Sequence, residues 1–153
     1  IRTRPLRADD LDEVVRIDAR YTGAEKREYW QRVFREYLGQ KSRPRTFGFG
    51  VDNGSGLSGY LFGEIRAVEF GSEPCGWVFA IGVEEERRRE GIASALLAAA
   101  CARFRKAGVT TVRTMMRRND VPVLSFFRSQ GFAGGPYVQL ELELPPLEEE
   151  DPS

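Results

Sequence analysis

The chain has 153 residues, with 23 Lys plus Arg balanced by 23 Asp plus Glu for a formal net charge of zero, and 41% of its residues are hydrophobic. This is the size and composition of one compact globular domain. It does not suit a disordered chain, a basic nucleic-acid binder or a membrane span of about 18 apolar residues. Histidine is absent, which removes Ser-His-Asp hydrolases, Cys-His transferases and H-E-x-x-H metalloenzymes, and leaves Cys75 and Cys101 a poor zinc site. Two cysteines form no disulfide framework, and Ile1–Pro5 lacks the apolar core of a secretory leader, so a cytoplasmic setting without a bound metal is expected. Chemistry must then run on carboxylates, tyrosines, backbone amides, arginines or a borrowed co-substrate.

Ile1–Arg7 reads as a first strand. Asp9 or Asp10 can cap a helix over Leu11–Ala19, where Leu11, Val14, Val15 and Asp18 recur at helical spacing. Arg20–Gly23 reads as a surface connection, and a second helix is expected over Ala24–Leu38, with Tyr29, Trp30, Val33, Phe34 and Tyr37 on its apolar face and Gly39 as its stop. Thr46–Val51 and Gly59–Phe70 flank the turn cluster Asp52–Gly56 and read as a hairpin. Gly76–Val83 is a short buried strand, followed by an alanine-rich helix over Ile92–Lys106 with basic residues and Gly108 at its end. Val109–Met116 is strand-like, Val121–Gln130 helical, and Tyr137–Leu144 alternates apolar and polar residues as a last strand would. The order β-α-α-β-β-β-α-β-α-β describes a single α/β domain over residues 1–144 with a mixed sheet, and an acidic tail over 145–153 expected to fray.

The informative stretch is Ile81–Leu97. A buried strand enters a turn and then a helix whose first residues, Gly91, Ile92 and Ala93, are small. Exposed amides at a helix start attract anions, and Arg87, Arg88 and Arg89 add positive charge, so a pyrophosphate is the natural guest. Neither the Walker phosphate loop nor Gly-x-Gly-x-x-Gly fits.

Arg88-Arg89-Glu90-Gly91-Ile92-Ala93 instead resembles the acetyl-CoA signature of the GCN5-related N-acetyltransferase (GNAT) superfamily, Gln/Arg-x-x-Gly-x-Gly/Ala. The context agrees: the strand Val78–Val83 precedes it, Asn119 follows the next strand, and Phe126–Phe132 closes the unit with the family's Gly-Phe pair. The resemblance implies a sheet whose central strands splay at a bulge. It implies that backbone groups of Ile81, Gly82 and Val83 pair with the pantetheine arm, the Val83 amide facing the thioester carbonyl as an oxyanion donor. The amides of Arg89, Glu90, Gly91, Ile92, Ala93 and Ser94, aided by the Arg88 and Arg89 side chains, would hold the pyrophosphate. Asn119 and Phe126 would line the other wall. The implied reaction is direct transfer of an acetyl group from acetyl-CoA to a primary amine.

Two departures stand out. Many members place a tyrosine acid where this chain has Phe127, and some carry a glutamate base where it has Trp77. Glu64, on the neighbouring strand, is the candidate base through a water, ahead of Glu69, Glu73 and Tyr137, although pairing with Arg66 is the first use to expect of it. Tyr21 and Thr22 fall where such folds meet the acceptor. A protein lysine or N-terminus is expected as acceptor ahead of a small amine, with a homodimer compatible with an open sheet edge. The competing reading is a sensor or interaction module that binds acyl-CoA without turnover.

Overall fold

In the computed structural model, which describes residues 1–39, 45–67 and 70–148, the first strand is short, β1 over Thr3–Pro5. Asp10 takes the N-cap position of the first helix, but its side chain makes no cap bond there. Its carboxylate accepts from the Arg7 amide at 2.8 Å and from two Arg4 nitrogens at 2.9 Å each, which closes a 3-10 turn at Ala8–Asp10. Burial alone would raise the Asp10 carboxyl, but the bonds from Arg4 and the Arg7 amide outweigh it and hold the group below its ordinary value.

Helix α1 follows over Leu11–Thr22 and runs past the expected end at Ala19. Tyr21 and Thr22 therefore form its last turn rather than a surface connection. Gly23, at φ 79°, ends the helix in the left-handed conformation, its amide bonded to the Ala19 carbonyl at 2.8 Å. Helix α2 spans Arg27–Leu38 and buries Trp30, Val33, Phe34 and Tyr37, the i, i+3, i+4, i+7 stripe read from the sequence.

Strands β2 (Thr46–Asp52), β3 (Leu57–Arg66), β4 (Cys75–Val83) and β5 (Val112–Thr114) complete a five-stranded sheet in the order β1-β2-β3-β4-β5. The pairs are antiparallel up to β4 and parallel between β4 and β5. The crossover into β5 is helix α3, Ile92–Lys106, with the expected bounds. Helices α1 and α2 cover one sheet face, where Tyr60 and Phe62 join their core. On the other face, where alternate residues point, α3 sets Ile92 and Leu96 against Gly59 and Phe104 against Gly76. Both glycines are required by these close approaches, since a β-carbon would lie 2.7 Å from the nearest α3 atom in each case.

The chain divides into two compact units, Ile1–Arg117 and Arg118–Ser153. The second holds α4, Val121–Ser129, which starts on the Asp120 side chain accepting from the Val123 amide at 3.3 Å. Phe127 is buried there, with Phe126 and Phe132 edge-on to it at 5.2 and 5.0 Å. The expected last strand is a correction: among the described residues 137–144 form no strand, and Val138, Leu140, Leu142 and Leu144 are exposed. Alternation supplies an apolar face but not a ladder, and the second unit contains no strand to pair with.

Candidate active site

The site is created by a single extra residue in β4. The β3–β4 register runs Leu61↔Ile81, Phe62↔Ala80 and then Gly63↔Val78, so Phe79 is a bulge with no partner on β3. Upstream of it, β5 pairs with Gly76, Trp77 and Val78. Downstream, no strand among the described residues covers that side of β4. The bond from the Glu84 amide to the Ser58 carbonyl, 2.8 Å, marks Gly59–Val83 as a non-hydrogen-bonded pair. The amides and carbonyls of Val83 and Ile81 therefore point away from β3 to the uncovered edge. Gly82 is turned the other way. Its backbone groups face Tyr60 in the ladder. Its use is spatial: a β-carbon there would lie 2.6 Å from the Tyr60 ring.

Past Val83 the chain makes a 3-10 turn at Glu85–Arg87, then a loop in which Arg89 takes φ 69° and Gly91 φ 85°. A left-handed arginine costs about 1 kcal/mol or more, a strain typical of ligand-holding loops. Gly91 is the N-cap of α3 and has no side chain to satisfy the first-turn amides. The first intrahelical bond runs from Ala95 to Gly91 at 3.0 Å. This 15-residue helix has no acidic residue in its first turn, so its positive end is open to an anion.

Helix α1 clamps this loop from the other side. Arg16 bonds Glu84 at 2.8 Å, and Arg20 bonds Glu85 at 2.9 Å and Glu86 at 3.2 Å. The three glutamates are thus occupied by α1, not arranged for an acceptor. Tyr21 donates its hydroxyl proton to the Val83 carbonyl, while Arg88 donates from Nε to the Tyr21 oxygen at 3.1 Å and lies 4.7 Å over its ring. Sequence spacing missed this triad because the helix was expected to stop before Tyr21. Thr22 instead bonds back to the Asp18 and Ala24 carbonyls.

Glu64 stands opposite Trp77 in the register. Its Oε2 accepts from the Tyr37 hydroxyl at 3.3 Å and from Arg66 at 3.4 Å, and Arg66 also stacks 4.3 Å over Trp77. Burial, then the charge of Glu64 and the bond to it, push the Tyr37 phenol up to about 12. Tyr37 also stacks on the bulged Phe79 at 5.0 Å, tying this cluster to the point where β4 leaves its neighbour. Glu73 is exposed before β4, and Glu69 lies outside the described residues. Asn119, Phe126 and Tyr137 belong to the second unit, where the Asn119 carbonyl accepts from the Val121 amide at 3.0 Å. Among the described residues no three His, Cys, Asp or Glu side chains group as a metal site, and no helix is long and apolar enough to cross a membrane. A hollow of about 580 Å³ between the β1–α1 connection and α2 is lined by none of the residues at the β4 edge.

Residues 11–132 match the acetyltransferase (GNAT) family. No curated protein matches the sequence. Among solved structures the chain is similar to a transcriptional regulator from Bacillus halodurans C-125, with TM-score 0.77, 18% identity, and 94% of this chain and 99% of that one covered. It is similar to the aminoglycoside antibiotic 6'-N-acetyltransferase AAC(6')-IG from Acinetobacter haemolyticus, at 0.76, 18%, 95% and 100%. A third is AAC(6')-Iy in complex with the bisubstrate analogue CoA-S-monomethyl-acetylneamine, at 0.79, 15%, 94% and 98%. At these identities the likeness is one of fold.

Proposed function

Because the chain belongs to the acetyltransferase (GNAT) family, we propose that it is an acetyl-CoA-dependent N-acetyltransferase that acetylates a primary amine by direct attack in a ternary complex. The observation that carries this reading is the outward-facing Ile81 and Val83 backbone beside the uncapped start of α3. Bound acetyl-CoA supplies an activated acetyl thioester. The Val83 amide donates to the oxygen on which charge develops, and the Ile81 backbone pairs with the pantetheine arm. The amides of Arg89 to Ser94 hold the pyrophosphate, with the guanidinium groups of Arg88 and Arg89 beside them.

A primary alkylamine is mostly protonated at neutral pH, so a proton must leave before attack. Glu64 receives it through water, its carboxylate held by Tyr37 and Arg66. Phe127 carries no proton to donate. A thiol with a pKa near 8.5 departs as thiolate without help. That AAC(6')-IG and AAC(6')-Iy share the fold favours a small polyamine over the protein lysine expected from the sequence. The sensor reading draws on Trp77 and Phe127, neither of which can titrate.

Purified protein mixed with acetyl-CoA and a panel of lysine peptides, N-terminal peptides, spermidine and neamine should release free thiol in an amine-dependent way. Glu64→Gln should lower kcat about a hundredfold, as loss of a general base does, and unchanged kcat rejects Glu64. Acetyl-CoA that raises the Tm with no thiol release on any amine would replace this reading with the sensor.

A further inference from the structure

Tyr60 is 3% exposed, yet its hydroxyl makes no hydrogen bond among the described residues. Every deeply buried side-chain oxygen or nitrogen there has a partner, so the Tyr60 oxygen itself opens on solvent. A phenol packed this tightly with one unpartnered oxygen is shaped to meet a ligand. Its position is telling: the hydroxyl end of the ring lies against Gly82, the residue between the two outward-facing backbone positions of β4.

Around that hydroxyl the fold gathers one carboxylate and three more aromatic rings. Asp18 lies one helical turn before Tyr21 on α1. Its Oδ2 accepts from the Trp30 indole at 3.1 Å, and its other oxygen keeps two lone pairs. Trp30 stands edge-on to Tyr60 at 5.5 Å and to Tyr29 at 5.2 Å. Asp18, Tyr21 and Tyr29 are the charged and polar groups that act on the Tyr60 phenol. Together with burial, the largest cause, they push it well above its ordinary range, so it stays a neutral hydroxyl at working pH. Of the nearby cations, Arg20 is committed to Glu85 and Glu86 and Arg88 to Tyr21, while the charge of Arg32 acts on Tyr29.

We propose that the acceptor docks here as a primary ammonium, its N–H groups on the Asp18 carboxylate and the Tyr60 hydroxyl oxygen, between the rings of Tyr21 and Tyr29. A carboxylate, hydroxyl acceptors and aromatic faces are a cation's partners, and the Asp18 charge repels an anion. Docking over Gly82 brings the nitrogen beside the β4 edge. One N–H proton then leaves to water, the nitrogen forms the new bond to the acetyl carbon, and the carbon–sulfur bond breaks to release thiolate. A second N–H proton leaves to water to give the neutral amide. Asp18 is a binding residue in this scheme, distinct from the base.

The inference rests on the acetyltransferase reading, and one set of titrations separates the two. Acetyl-CoA and each of spermidine, neamine and N-acetyl-lysine methylamide are titrated separately into wild type, Asp18→Asn and Tyr60→Phe, with titration calorimetry as the readout and Tm as the check on folding. Asparagine keeps an acceptor for the Trp30 indole, and phenylalanine keeps the ring. Asp18→Asn should weaken binding of the best amine at least about tenfold, the loss of one charge-assisted bond. Tyr60→Phe should weaken it severalfold, and acetyl-CoA affinity should stay within about twofold in both. In turnover the loss should appear in KM, not kcat. Amine affinity unchanged in Asp18→Asn overturns the proposal, as does failure of every amine to bind wild type. Failure of acetyl-CoA to bind wild type overturns the acetyltransferase reading instead.

Discussion

The Tyr21 hydroxyl donates to the Val83 carbonyl, one of two carbonyls on the uncovered β4 edge, so an incoming pantetheine amide competes with it. The same phenol carries the Arg88 guanidinium over its ring. Tyr21→Phe removes the competing donor and keeps the ring. Acetyl-CoA should then bind up to about fivefold tighter, the value of a hydrogen bond of about 1 kcal/mol. Titration calorimetry reads this directly, and weaker binding would show that the hydroxyl supports the cofactor. The family resemblance put Tyr21 where such folds meet the acceptor, but its bonds to Val83 and Arg88 were not legible beforehand. Tyr21 reads as loop from composition, and Asp18 reads as one more position of a helical pattern. What assembles them with Tyr60 is the extra turn of α1 and the sheet beneath it, which join residues some 40 positions apart.

At the scale of elements, Gly91 and α3 carry the most weight. A β-carbon at Gly91 would meet only Ile1 at 3.5 Å, so space does not forbid a side chain there. Its φ of 85° does. Gly91→Ala should lower stability by about 1 kcal/mol and weaken acetyl-CoA about tenfold as the first-turn amides realign. A melting curve and a cofactor titration check both, and intact affinity would remove those amides from the site. Helix α3 was fully legible, because alanine-rich sequence, the small residues before it and a basic C-terminal turn all point one way. The family resemblance implied a bulge but not its position, since nothing in Gly-Trp-Val-Phe-Ala-Ile-Gly-Val marks Phe79 as the extra residue. Strand β5 came out shorter than its apolar run, and the pattern at 137–144 formed no strand. In each case periodicity identifies a face, while pairing decides whether a strand exists.

At the scale of the molecule, a net charge of zero conceals a deliberate local arrangement. The glutamates of the β4–α3 loop are met by Arg16 and Arg20 of α1, and the helix start beyond them is left without an acidic neighbour in its first turn. The fold-level likeness to AAC(6')-Iy at 15% identity fits this picture, since hydrophobic pattern and a few backbone positions carry the architecture while most side chains differ. The central claim is that acetyl-CoA lies along the β4 edge with its pyrophosphate at the start of α3. Amide-resolved NMR during an acetyl-CoA titration tests it most directly. The account predicts that the largest shifts fall on the amides of Ile81, Val83 and Arg89 to Ser94, and shifts confined to other parts of the chain, or none, would contradict it.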